Sequence, residues 1–257
     1  MLSNYFTVEV KPTMPVAEQD DGNYGNHEIL FDWTPFQIPR GPARLIGVTA
    51  LIRGTDGADQ SLDAELIYAK TKNAGITAPP TLGGTHDAID SGGWQNHLLG
   101  ASMLDADGAK AQNDTDLVSM SILHNTLGAD CLILEGEPNS GDTIGLDTLY
   151  VAGIARGANY NFSTTVLSRG GTTADGSVAI VATDKGSNDD PDADLIFAPG
   201  DVLHTTANGL IGTVKSIAAF GSSKQDITFE SAIANNVDDN DEIFNISPIT
   251  LRLHFEK

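Results

Sequence analysis

The residues that could carry acid–base or metal chemistry in this chain are few and widely spaced. The six histidines show no metal-ligand spacing such as H-x-x-x-H. Neither a serine elbow, a phosphate loop, a dinucleotide fingerprint nor a cysteine–histidine nucleophile pattern is present. We therefore predict no catalytic residue and no cofactor, and we expect a protein that is not an enzyme.

Clustered carboxylates are the remaining candidates for chemistry. One acidic run contains Asp189, Asp190, Asp192 and Asp194, and a second spans residues 238–242. Flexible acidic loops can supply the six to eight oxygen ligands of calcium, so the first four are calcium candidates. Neither run has the EF-hand pattern, which favours solvated turns and predicts no metal site. A carboxylate pair for glycoside cleavage stays open, but aromatic residues make up only 6% of the chain.

The charge of the chain limits its partners. The formal net charge is −21, and such a surface repels both phosphate backbones and anionic membranes. We therefore expect no nucleic acid and no membrane among its partners. The first residues lack the basic and apolar stretches of a secretory signal, which predicts synthesis in a cytoplasm.

The elements that position these residues are predicted to be strands, and the clearest is the last. In Ile249–Glu256, four apolar residues alternate with Thr250, Arg252, His254 and Glu256. A period of two indicates a strand with one buried and one wet face. A strand this regular must pair with strands formed earlier in the chain. We expect it to return to the first domain, which makes the preceding acidic segment an insertion.

Further strands are predicted in the first two thirds of the chain. The segment His27–Trp33 places Ile29, Phe31 and Trp33 on one face. The next two strands, Ala43–Arg53 and Ser61–Lys70, flank a short polar turn and are predicted to form a hairpin. A short helix is expected near Trp94–Leu104. The remaining predicted strands are Thr115–Leu123, Ala129–Glu135 and Ile144–Ala155.

The inserted segment, residues 166–247, carries 13 acidic and 4 basic residues, a net charge of −9. Its predicted strands are brief and separated by close turns, which is typical of a small barrel of five or six strands. A short helix is expected at Ser231–Asn236. The predicted strands are Ser177–Thr183, Leu195–Ala198, Asp201–Thr205, Gly209–Ile217, Asp226–Glu230 and Glu242–Ile246.

The predicted fold class is all-β, a β-sandwich or jelly-roll-like domain with an inserted small β-barrel domain. Residues 1–26 are predicted to be an N-terminal arm that packs on a neighbouring subunit, although Tyr5–Val10 could form a short strand. Residues 27–165 together with 248–257 form the sandwich, and residues 166–247 form the acidic barrel.

Two groups of residues carry a resemblance to known proteins. The first group resembles a small β-barrel of tailed-bacteriophage virion proteins, and it comprises Pro199–Leu203, Ile211–Ile217, Ile227–Phe229 and Asp241–Ile246. The run Trp33–Gly41 and the closing Ile249–Lys257 resemble auxiliary structural proteins of marine phage heads. The resemblance implies a capsid decoration or cement protein on the outer surface of a virion, with no catalytic residues.

That resemblance implies the major capsid protein as a partner, and self-association as a homo-oligomer, with a trimer favoured. The interface candidates are apolar, aromatic or basic residues of the arm and of the run that follows it: Tyr5, Phe6, Val8, Met14, Trp33, Phe36 and Arg40. Two alternatives remain open. One is a tail, baseplate or receptor-binding component, and the other is a carbohydrate-binding or glycan-active protein.

Overall fold

The computed structural model of the chain describes residues 4–20, 22–53, 62–72, 77–85, 87–89, 92–108, 110–111, 117–123, 132–138, 144–157, 160–164, 166–184, 196–219 and 224–257. Within these ranges the protein is built almost entirely from antiparallel strands. The helical elements that lie wholly within these ranges are one five-residue helix, α1 (Val16–Asp20), and two short 3₁₀ segments, Gly93–Asn96 and Ala106–Gly108. No helix of the described residues is long and apolar enough to span a membrane.

The strands of the described residues are, in chain order, β1 (Tyr5–Val10), β2 (Asn23–Tyr24), β3 (Ile29–Pro39), β4 (Ala43–Arg53), β5 (Ala64–Lys70), β6 (Leu98–Leu104), β7 (Lys110–Ala111), β8 (Leu117–Leu123), β9 (Leu132–Leu134), β10 (Glu137–Pro138), β11 (Leu146–Ala155), β12 (Tyr160–Asn161), β13 (Val166–Arg169), β14 (Ala179–Asp184), β15 (Val202–Thr205), β16 (Gly209–Ala219), β17 (Gln225–Phe229), β18 (Ile243–Asn245) and β19 (Ile249–Glu256).

The first sheet has the strand order β1-β19-β4-β8-β7, and β9 also pairs with β4. The final strand β19 lies between β1 and β4, so that Leu253 is opposite Val8 on one side and Val48 on the other. Its four apolar residues are buried and the residues between them are not. The return of the last strand to the earlier part of the chain is thereby confirmed.

The second sheet is centred on β11, which pairs with β3 along one edge and with β5 and β10 along the other, and β6 lies beyond β5. The two sheets enclose a common core that includes Leu45, Tyr68 and Leu149. Phe255 of β19 lies between two rings, with centroid distances of 5.2 Å to Phe6 and 6.4 Å to Phe36. The first unit is therefore a β-sandwich, as its alternating strands predict.

The predicted hairpin of Ala43–Arg53 with the following strand is wrong. β4 pairs with β19, β8 and β9 in the first sheet, whereas β5 pairs with β11 and β6 in the second. The chain crosses from one sheet to the other between these two strands. The polar segment that joins them indicates a change of direction, and it carries no information about which strands become partners.

Three further expectations about the sandwich need correction. Residues 5–10 are not a free arm, because β1 is an edge strand of its own chain's first sheet. Phe31 does not share a face with Ile29 and Trp33, because the β3–β11 pairing is irregular around Gly153. The Phe31 ring enters the main core against Gly153, where an added Cβ would lie 2.4 Å from a ring carbon. The expected helix near Trp94 is a four-residue 3₁₀ turn followed by β6.

The third sheet comprises β13-β14-β17-β16-β15-β18 and curls into a nearly closed barrel. Its two end strands meet at an isolated bridge between Leu167 and Glu242, and the Ser168 amide donates to the Asp241 carbonyl at 2.9 Å. A separate apolar core lies inside, including Ile180, Leu203 and Ile227. An all-β sandwich with a small barrel is thus the fold class that the sequence predicts.

Two local expectations for this barrel are wrong. The described part of the predicted strand Leu195–Ala198, residues 196–198, belongs to no strand. The predicted helix at Ser231–Asn236 is irregular chain. There, backbone bonds hold the segment in place: the Ala234 amide donates to the Ile211 carbonyl at 2.9 Å. Ile196 and Phe197 are nevertheless buried in the barrel core, so their apolar character reflects burial and not strand pairing.

Residues 11–20 fasten the barrel to the sandwich. The Met14 amide donates to the Ile246 carbonyl at 2.7 Å. The buried Gln19 side chain donates to the carbonyls of Met14 (2.8 Å) and Asn245 (3.0 Å). On β4, Arg53 lies 3.6 Å from Asp201 of the barrel. The segment after β1 is therefore a brace between the two units, which we call the Gln19 brace.

Candidate interaction surface

The first sheet presents one face to solvent, and its residues come from three sequence-distant strands. In β1, β19 and β4, every second side chain enters the core, so that the others point outwards. We call this the outer face. It comprises Tyr5, Thr7, Glu9, Arg44, Ile46, Thr49, Leu51, Arg53, Thr250, Arg252, His254 and Glu256, with Lys11 and Ile133 at its margins.

Charged residues on the outer face are paired across neighbouring strands. Glu256 accepts a hydrogen bond from Arg44 on one side and from the Tyr5 hydroxyl on the other, the latter at 3.2 Å. Four residues away along β19, the Nε of Arg252 lies 3.4 Å from a Glu9 carboxylate oxygen. Cross-strand pairs of this kind hold the long side chains against the sheet, and the exposed Arg252–Glu9 pair contributes little to stability.

A row of hydroxyl and imidazole groups lies between these two pairs. His254 Nδ1 is hydrogen-bonded to the Thr7 hydroxyl at 3.0 Å, and its Nε2 is hydrogen-bonded to the Thr49 hydroxyl at 3.1 Å. Both ring nitrogens are thus engaged by strands on either side of β19. The ring is held in one orientation, and it forms a wall on the outer face.

A shallow groove of about 470 Å³ lies beside this wall. Tyr5, Ile46 and Phe255 contribute to its lining together with His254. The Tyr5 side chain is 68% exposed, although it is large and aromatic. At the other end of the same cross-strand row, Ile133 of β9 is 60% exposed and opposite Arg44. The outer face therefore combines apolar groups with arginines.

The end of the outer face nearest the barrel opens into a cleft of about 260 Å³. Basic residues Lys11, Arg53 and Arg252 line it together with Glu9 and Asp201. Burial raises the pKa of the Asp201 carboxyl above its usual range, and the nearby Arg53 opposes that shift. The cleft is polar, and it joins the outer face to the barrel.

The charge of the outer face differs from that of the whole chain. Four basic residues, Lys11, Arg44, Arg53 and Arg252, lie on it against two acidic residues, Glu9 and Glu256. The balance remains positive when Asp201 of the barrel is included. The chain as a whole has a net charge of −21. A positively charged patch of this kind sets the outer face apart from an acidic molecule.

The predicted interface residues divide between surface and core. Tyr5 lies on the outer face, and Arg40 is exposed at the end of β3. Phe6 and Val8 are only partly exposed and pack against the core. The prediction is wrong for Met14 and Phe36, because Met14 is fully buried and Phe36 nearly so.

Trp33, also predicted to be at an interface, packs within the chain. Its ring lies 6.0 Å from that of Trp94, and its indole N–H donates to the Pro80 carbonyl at 2.9 Å. The sequence prediction missed Arg44, Ile46, Arg252 and His254. The alternation of β19 marked the last two as wet positions, but nothing in the sequence placed them beside β4.

The calcium candidates Asp189, Asp190, Asp192 and Asp194 lie outside the described residues. The second acidic run is described, and its carboxylates accept hydrogen bonds from the barrel itself. Asp241 accepts from the Asp238 amide at 2.8 Å and from the Asn208 side chain at 3.2 Å. Among the described residues, no group of three or more histidine, cysteine, aspartate or glutamate side chains is placed to hold a metal. We call the run 238–242 the acidic clasp.

By its fold, the protein is an all-β protein made of a sandwich and a nearly closed barrel. No protein-family model matches its sequence, and no curated protein matches it either.

Proposed function

We propose that this protein is a non-enzymatic structural component of a phage virion that binds the outside of the capsid as a decoration or cement protein. Its partners are the major capsid protein and other copies of itself, in a homotrimer. Its place is the outer capsid surface, after synthesis in the host cytoplasm.

The observation that carries the proposal is the position of β19. This strand pairs with β1 and β4, so the segments on either side of the barrel are tied into one sheet system. The barrel is thereby an insertion held at both of its ends, and the Gln19 brace adds hydrogen bonds at the junction. A stiff scaffold carrying an outward module suits a protein that bridges and covers shell subunits.

The distribution of charge also supports the proposal. The barrel segment has a net charge of −9, which suits exposure to solvent and separation from packaged DNA. A symmetric shell repeats one modest contact many times, so each contact can be weak while the coat is stable.

The test is to quantify the protein in purified particles of the phage that encodes it, by peptide mass spectrometry against the major capsid protein. We expect a fixed ratio to that protein and immunogold labelling over the whole head. A few copies at one vertex or on the tail would support a tail, baseplate or receptor-binding role. Absence from particles contradicts any virion role.

Two solution measurements complete this test. Light scattering of the purified protein is expected to give the mass of a trimer. In a glycan panel we expect neither binding nor turnover. Glycan binding that disappears on substitution of an aspartate or glutamate would favour a carbohydrate-binding or glycan-active protein instead.

A further inference from the structure

We propose that the outer face is the surface by which this protein docks, and that its partner is an acidic protein surface that also offers one apolar side chain. The inference rests on the proposed function, because the partner it names is the outer surface of the capsid shell. It assigns the contact to the outer face and leaves the barrel free.

Charge complementarity is the first argument. A protein of net charge −21 is repelled by another acidic surface unless it approaches through a region of opposite charge. The outer face supplies such a region, because its four basic residues outnumber Glu9, Glu256 and the adjoining Asp201, which pairs with Arg53. Within a screening length of about 8 Å at physiological salt, only this local excess acts on the partner. The outer face therefore orients the approach of the partner.

Composition is the second argument. Tyrosine and arginine are enriched at the energetically important centres of interfaces. On the outer face, Tyr5 and Ile133 are exposed at either end of the row that contains the Arg44–Glu256 pair. The groove between Tyr5, Ile46 and His254 is large enough for one apolar side chain of a partner. Exposed apolar groups flanking fixed arginines are what a docking surface requires.

Preorganisation is the third argument. The arginines Arg44 and Arg252 are each held by one glutamate, and His254 is held by two threonines. A partner carboxylate can join the exposed Arg252–Glu9 pair at small cost, because such pairs contribute little to folding. The side chains are already ordered before binding, which reduces the entropy lost on docking.

The size of the outer face sets the expected strength. Three strands about 4.8 Å apart, about eight residues long on average at about 3.4 Å per residue, give a flat area of roughly 400 Å². That is below the roughly 800 Å² per partner of a standard stable interface. We therefore expect weak binding by one copy and a stable coat through repetition on the shell.

The test uses particles stripped of the protein and re-coated with purified wild-type or variant chains. Arg252→Glu reverses one charge on the outer face, and Tyr5→Ser removes the exposed ring without changing charge. Lys215→Glu is the matched control, because it reverses an exposed charge on β16 of the barrel. Each variant is first checked for an unchanged melting temperature, so that loss of binding is not loss of fold.

We expect Arg252→Glu and Tyr5→Ser each to weaken re-coating by about tenfold or more, and Lys215→Glu to stay within about twofold. Raising the salt concentration should weaken wild-type binding and have less effect on Arg252→Glu. If the wild type re-coats particles and both outer-face variants do so equally well, the docking face is wrong and the proposed function stands. If the wild type does not bind particles, both the docking face and the proposed function are wrong. If Arg252→Glu instead breaks up an oligomer of the free protein, the occupant is a second copy and the inference is overturned.

Discussion

The sandwich and the barrel are both built from antiparallel strands, but the last strand of each unit is held to its neighbours in a different way. In the sandwich, β19 enters between two strands with a ladder of hydrogen bonds along each edge, and its Phe255 ring lies between Phe6 and Phe36. In the barrel, β13 and β18 meet at one bridge. Carboxylates of the acidic clasp accept further bonds there, including those from the Gly170 amide and the Thr172 hydroxyl.

This difference reflects the size of the two cores. A large apolar core can hold a strand by burial alone, because each fully buried large side chain contributes about 2 kcal/mol. The barrel has a smaller core, and charge-assisted hydrogen bonds complete its seam. We therefore expect the stability of the sandwich to depend on the volume of its buried side chains, and the stability of the barrel to depend on the charge of its carboxylates.

The largest effect is expected from Phe255→Ala. The side chain is fully buried between two rings, and its loss leaves a cavity in the sandwich core. The free energy of unfolding should fall by about 3–5 kcal/mol. Urea denaturation followed by circular dichroism measures this, with Thr250→Ala on the same strand as a control that should change stability by less than about 0.5 kcal/mol. Comparable losses in the two variants would show that burial does not hold β19.

A smaller loss, of about 1–3 kcal/mol, is expected from Gln19→Ala. This change removes both donors of the Gln19 brace and leaves buried carbonyls of Met14 and Asn245 without that partner. The barrel and the sandwich should then unfold in separable steps by hydrogen exchange. Glu18→Gln, one residue away, should keep their unfolding coupled. A single transition in Gln19→Ala would mean that other contacts join the two units.

Asp241→Asn should lower the stability of the barrel by about 1 kcal/mol, because the acidic clasp loses an ionised acceptor for the Asp238 amide and the Asn208 side chain. Amide exchange should accelerate in β13 and β18 and stay unchanged in β19. Glu230→Gln, an exposed change of the same kind, is the control. If amide exchange accelerated equally in the strands of the sandwich, the contact between β13 and β18 would not be held locally by charge.

The smallest effect concerns pH. Burial lowers the pKa of His204 on β15 below its usual value near 6.5, so the unfolded chain takes up this proton at a higher pH than the folded one. Its contribution to stability is therefore complete above about pH 6.5 and is lost as the pH falls below that value. His204→Gln should flatten the fall in melting temperature of the barrel between pH 7 and pH 5. His254→Gln, in the sandwich, should leave that slope unchanged, and an unaltered slope in His204→Gln would refute the assignment.

Local patterns predicted the strands well and their partners poorly. The alternation in β19 identified its buried and wet faces, since a period of two is a property of the strand itself. The expected hairpin of β4 and β5 failed because a polar turn between two strands is compatible with either a hairpin or a crossing between sheets. The choice depends on β19, which pairs with β4, and on β11, which pairs with β5, and both partners come much later in the chain.

The outer face shows the same limit. The polar positions of β19 were visible in the sequence, and Tyr5 was identified as an interface candidate. Arg44 and Ile46 were not, because β4 has apolar residues on both faces and nothing in its sequence marks one face as exposed. Met14 was misassigned for the converse reason. A methionine in a proline-rich segment suggests an exposed arm, and only the packed brace explains its burial.

The central place of β19 also constrains the order in which this chain acquires structure during synthesis. The pairing of Tyr5 with Glu256 joins residues some 250 positions apart. During synthesis, β1 therefore has no partner strand until β19 has been made. The barrel strands all precede β19, and the barrel can be complete while the first sheet is still open. A chain that is truncated after Ser247 and released from the ribosome should therefore protect the barrel from protease and leave β1 cleavable.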